Sequence, residues 1–93
     1  MDLLYEIKIV LRIVDDAYDE EIRGLIDAAR QDLYLSGISQ NKTHDNNDPL
    51  VRRAIITYVK AHFGWNNPDA QRLSDAYSMI KTHLALSSEY RGD

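Results

Sequence analysis

Residues 48–69 read DPLVRRAIITYVKAHFGWNNPD, one complete helix followed by the opening of another. Asp48-Pro49 is a helix entry: Asp accepts from the free N–H groups of the first turn, and Pro fits where no donor is needed. At about 100° per residue, Leu50, Val51, Ala54, Ile55, Tyr58, Val59 and Ala61 fall on one apolar arc, with Arg53, Thr57, Lys60 and Gly64 opposite. Gly64 is the expected stop, because glycine takes a left-handed conformation without steric cost. Asn67-Pro68-Asp69 then repeats the entry signal. A connection of about four residues makes the two helices antiparallel or sharply angled neighbours.

Downstream, Leu73, Ala76, Tyr77, Ile80 and Leu84 give a helix from Pro68 to about Leu86 its buried side, and Gln71, Asp75, Ser78 and Thr82 face water. Upstream, the acidic run Asp15-Asp16 and Asp19-Glu20-Glu21 suits a helix N-terminus. Behind it Tyr18, Ile22, Leu25, Ile26, Ala29 and Leu33 share a narrow apolar stripe, and Gly37 is the expected C-cap. Asp19–Arg23 and Asp27–Arg30 at helical spacing contribute only about 0.2–0.5 kcal/mol each, so the stripe decides this helix. Residues 38–48, ISQNKTHDNND, are rich in turn formers and read as a mobile surface loop. Ser87–Asp93 read as a frayed polar tail. Residues 3–14, LLYEIKIVLRIV, are ambiguous: Leu3, Leu4, Ile7, Val10 and Leu11 form a helical stripe, while Tyr5, Ile7, Ile9, Leu11 and Ile13 alternate as in a strand, which the β-branched content favours.

The 93 residues are expected to form one domain. With no cysteine, disulfides, thiol catalysis and cysteine zinc sites are excluded. The net charge of −4 argues against a protein that coats DNA, which needs clustered Lys and Arg. No apolar run reaches the roughly 18 residues of a membrane span, and MDLLYEIK has neither the positive region nor the cleavage pattern of a signal peptide. A soluble, intracellular protein without membrane contact is the expectation.

Chemistry is sparse. His44, His62 and His83 lack the close spacing of metal ligands, so no metal site is expected. His44 with Asp45 and Asp48 reads more simply as solvated loop, and His62 as a partly buried structural residue. The glycines form no phosphate cradle, no nucleophile is set beside a base, and neither an enzyme nor a cofactor is expected. More informative are Arg52, Arg53 and Lys60, which are either a solvated surface, a phosphate contact, or partners for carboxylates of a neighbouring copy. Ile56 and Phe63 lie at the edge of the apolar arc beside Arg52, and Trp65 lies beyond Gly64. Large apolar groups next to Arg match the composition of subunit interfaces, although Phe63 and Trp65 also suit a small cluster capping the helix pair. Arg52, Arg53, Ile56, Lys60, Phe63 and Trp65 are therefore the candidate interface residues.

The order of these segments — the LRI tripeptide, the acidic run, LIDAARQDL, then DPLVRRAIITYVKAHFGWNNPD and a Tyr- and Leu-containing last helix — resembles the head–tail connector (DNA packaging, head-completion) proteins of tailed bacteriophages and prophages over about residues 3–86. The resemblance implies a short N-terminal helix ending near Leu11 with an extended exit. The expected fold is then all-α, three main helices plus that short one in a small bundle. It further implies a structural subunit of the virion neck, assembled in the host bacterial cytoplasm as a ring below the portal. Its implied partners are sister copies, the portal protein and a downstream tail-completion protein, with packaged DNA passing through the channel without sequence-specific binding. In that family the terminal regions and the long inter-helix loop mediate contacts, implicating residues 38–48 and Ser87–Asp93 here. The competing reading is a small DNA-binding regulator with a helix-turn-helix at the Phe63–Pro68 turn. Against it, the following helix opens on Asp69 and offers only Arg72 and Lys81.

Overall fold

The computed structural model describes residues 2–64 and 66–92. Among them run α1 (Leu3–Leu11), α2 (Asp19–Leu35), a single turn α3 (Gln40–Thr43), α4 (Pro49–His62) and α5 (Ala70–Leu86). The all-α bundle is as expected, with the short N-terminal helix present. No described helix is long and apolar enough to cross a membrane.

The ambiguous N-terminal segment is helical because its helical stripe is what the core takes: Leu3, Leu4 and Ile7 are buried, while Tyr5 and Ile9 remain exposed. Asp2 caps the start, accepting from the Leu4 N–H at 3.1 Å. At the far end the Arg12 N–H donates to Ile9 O and the Ile13 N–H to Lys8 O, with Arg12 left-handed at φ 61°. Glycine usually holds that position. The same closure ends α2, where Gly37 (φ 105°) donates to Tyr34 O at 3.0 Å and Ile38 to Leu33 O at 3.2 Å. It turns Ile38 back into the core with Leu33.

Helix α4 is central, packed against α5 most extensively, then α2, with α1 lying against α2 and α4. Asp48 caps it, its Oδ1 accepting from the Leu50 and Val51 N–H groups at 3.0 and 3.1 Å. Val51, Ala54, Ile55 and Val59 are fully buried against Ile7, Ile22, Ala29 and Leu33. Each large aliphatic side chain so removed from water contributes about 1.5–3 kcal/mol. Leu73, Tyr77 and Leu84 bury the inner side of α5, with Ala76 and Ile80 half-buried. The Tyr77 hydroxyl donates to Asp32 Oδ2 at 2.6 Å, and Lys81 Nζ reaches the same oxygen at 3.0 Å, joining α5 to α2.

Four local expectations are corrected. Leu50 does not join the core; it is 46% exposed, because its position on the helix points away from α2. The pairs Asp19–Arg23 and Asp27–Arg30 give way to tertiary partners: Lys8 takes Asp19 at 2.9 Å, Arg23 turns to Glu20, and Arg30 leaves the α2 surface. Arg30 instead donates to Thr43 O and, at 2.7 Å, to Asn46 Oδ1. Segment 38–48 is accordingly not a loose loop: α3 sits in it, Ser39 caps that turn, and Thr43 is fully buried. Nor is the C-terminal segment frayed over residues 87–92, Asp93 lying outside the described residues. Tyr90 is buried, Ser39 N–H donates to Tyr90 O at 2.8 Å, Gly92 N–H donates to Gly37 O at 2.9 Å, and Ile38 bridges Arg91.

Candidate assembly surface

Because α1 and α5 flank α4 on different sides, the strip of α4 between them stays uncovered. A groove of about 780 Å³ runs there. Its floor is the α4 face carrying Arg53, Ile56, Thr57 and Lys60; Glu6 and Val10 of α1 form one wall, and Arg72, Ala76, Met79, Ile80 and His83 of α5 the other. Ile56 and Ile80 are half-buried, resting on the core from above. Met79 is 67% exposed. The groove is thus apolar at its base with cations along its length.

Its charge is one-sided. Arg52, Arg53, Lys60 and Arg72 line it, with Glu6 as the single carboxylate. Glu6 lies 3.5 Å from Arg52, and Arg72 lies 3.7 Å from Asp69. Arg53 and Lys60 make no ion pair among the described residues. On a chain of net charge −4, two uncompensated cations beside exposed apolar side chains form a local reversal of sign.

Four of the candidate residues, Arg52, Arg53, Ile56 and Lys60, therefore meet in one groove. Phe63 does not join them. It packs edge-on against Tyr18 with ring centroids 5.6 Å apart, closing the end of the α2–α4 pair. Trp65 lies outside the described residues. The α1 and α5 walls were not singled out in the sequence, since their membership follows from packing between helices; the helical spacing of Ala76, Met79, Ile80 and His83 was the available signal.

The histidines have other surroundings. His62, expected to be partly buried, is exposed at the last residue of α4, with its ring 4.3 Å from that of Tyr58. His44 Nδ1 lies 3.1 Å from both Gln40 O and Thr43 Oγ1. Among the described residues no three His, Asp or Glu side chains are grouped to hold a metal ion. Asp48 is fully engaged: burial pushes its carboxyl up, but the Val51 and Leu50 N–H groups, the Tyr90 hydroxyl and Lys42 outweigh that and hold it below the ordinary carboxylate value.

The family description that matches this chain, phage connector protein, covers residues 3–91. No curated protein and no solved structure matches it.

Proposed function

The chain belongs to the phage connector protein family, a structural component of phage particles, and from that membership we propose that it assembles as a ring below the portal in the virion neck. There the ring would extend the DNA channel after packaging and offer a docking surface to a tail-completion protein. Assembly takes place in the host bacterial cytoplasm, and DNA passes through without sequence-specific contact.

The observation that carries this reading is the groove in which Ile56 lies half-buried on the floor beside Arg53 and Lys60, two cations that make no ion pair among the described residues. Apolar side chains beside Arg are enriched where proteins associate, and the surplus of Asp and Glu elsewhere supplies complementary charge. A contact between two different faces propagates head-to-tail and closes into a ring when the rotation allows. Charge pairs in such a contact set register and partner choice more than affinity.

The scale is compatible. A neighbour covers roughly 800 Å² of each copy in a standard interface, so two neighbours take about a quarter of the 6047 Å² accessible surface. Exposed Val14, Leu35, Leu86 and Tyr5 show how much apolar surface this fold leaves in water. No bond is made or broken; many modest contacts repeated by symmetry do the work.

The test is sedimentation of the purified chain alone and with the portal protein of the same phage, followed by negative-stain imaging. We expect a ring stacked on the portal. Absence of association with portal and with itself over the whole accessible concentration range would refute the reading.

A further inference from the structure

Taking the ring reading as given, we infer which face of the next copy enters the groove: the outward side of α2, with Glu20 and Asp27 against the groove cations and Gly24 over Ile56. On α4, Arg53 and Lys60 are seven positions apart; on α2, Glu20 and Asp27 are also seven apart. At a rise of about 1.5 Å per residue each pair spans about 10 Å along its helix. Two helices laid side by side can therefore bring both carboxylates to both cations at once.

Gly24 supplies the second observation. It is exposed in the interior of α2, and a Cβ built on it meets nothing within 4 Å. It is not among the positive-φ residues. Neither the backbone nor the packing of its own chain calls for glycine there, and glycine weakens a helix interior relative to alanine. It falls midway between Glu20 and Asp27, as Ile56 and Thr57 fall midway between Arg53 and Lys60. The gap left by Gly24 lets the α2 backbone come down onto the half-buried Ile56 on the groove floor, with Ala28 keeping the adjoining surface low.

Other outward faces match less well. The exposed side of α5 carries Asp75 among Gln71, Ser78 and Thr82, and that of α1 carries Tyr5 and Ile9, the carboxylate between them, Glu6, being turned to Arg52 of its own chain. On α2, Asp27 makes no ion pair among the described residues, and Glu20 holds only the exposed Arg23 at 2.9 Å. Because α2 packs its inner side on α4 away from the groove, groove and outward face are different surfaces. The contact is head-to-tail, as a ring requires.

Three variants test this, read as self-association by sedimentation and as copies bound to portal. Gly24→Gln should raise the thermal midpoint of the isolated chain and weaken association at least tenfold. A role in folding alone would not move the two in opposite directions. Arg53→Glu/Lys60→Glu and Glu20→Lys/Asp27→Lys should each fail to associate alone and should associate when mixed. Should a charge variant fold poorly, the cysteine-free chain permits Ala28→Cys copies to be mixed with Arg53→Cys or with Lys60→Cys copies and oxidised, one pair for each direction of α2 along the groove. One of the two pairs should form a cross-linked dimer well above that of Ser88→Cys with Arg53→Cys. Wild type that assembles while Gly24→Gln and the charge variants assemble equally overturns the inference and leaves the ring reading standing. Wild type that never assembles removes both. Loss of duplex-DNA retention in the groove variant, with the α2 variants unaffected, would overturn the inference in favour of a phosphate contact.

Discussion

The Tyr90 hydroxyl donates to Asp48 Oδ1 at 3.2 Å, tying the C-terminal turn to the cap of the central helix. Lys42 approaches the same carboxylate at 3.5 Å and lies over the Tyr90 ring. One side chain therefore starts α4, anchors segment 38–48 and holds the C-terminal segment down.

Replacing Asp48 should be costly for two separable reasons. Asp48→Ala removes the cap, at about 0.5–2 kcal/mol, and leaves the buried Tyr90 hydroxyl without its acceptor, at about 1–3 kcal/mol more. Asp48→Asn keeps a capping oxygen and should lose clearly less. Urea denaturation of the three proteins checks the order.

Deleting residues 87–93 should destabilise the fold rather than leave it untouched. Removing a buried aromatic costs about 3–5 kcal/mol, and the deletion also uncovers Ile38, now 1% exposed. A frayed tail would give no change in the denaturation midpoint.

Stability should fall at both ends of the pH scale. Asp48 and Asp32 are held below the ordinary carboxylate value: burial raises each, but hydrogen bonds from backbone, Tyr90 and Lys42 at Asp48, and from Tyr77 and Lys81 at Asp32, outweigh it. Their folded values lie under the unfolded value of about 3.9. Their contribution is complete above that point and is lost as pH falls through the depressed values. Tyr90 is shifted the other way, pushed up to about 12 by burial and by Asp48. Its contribution is complete below about 10 and is lost as pH rises toward the folded value. Urea midpoints across pH should be flatter on the acid side for Asp48→Asn and on the alkaline side for Tyr90→Phe.

Ile55 and Ile56 are adjacent and should behave oppositely. Ile55 is fully buried in the α2–α4 core, whereas Ile56 is half-buried on the groove floor. Ile55→Ala should cost about 2–5 kcal/mol of stability. Ile56→Ala should cost under about 1.5 kcal/mol, since little of a cavity forms at a surface, yet weaken assembly. Thermal melts paired with sedimentation separate the two effects.

Helices α2, α4 and α5 were legible because each carries an apolar stripe at helical spacing, and because Asp48-Pro49 and Gly37 mark a start and a stop; α1 was not, since its apolar residues fit a helix and a strand alike. Segment 38–48 and the C-terminal segment were not, since composition there is polar and the ordering comes from a few long-range contacts. Ile38 directly after Gly37, and Tyr90 as the lone aromatic in a polar tail, were the signals. At the groove, sequence spacing placed Arg53 and Lys60 on one face with Ile56 at its edge. It could not supply Val10, Met79 or Ile80, which belong to the same surface only after α1 and α5 have packed on α4. Leu50 went astray for a related reason: a place on the apolar arc secures burial only where another helix arrives to cover it.

A cryo-electron microscopy map of the chain assembled on its portal addresses the central claim most directly. We expect a closed ring in which the α4–α5 groove forms the boundary between copies, with Arg53 and Lys60 within ion-pairing distance of a neighbour's carboxylates. A ring whose copies meet elsewhere, with both cations facing the DNA channel or open solvent, would contradict it.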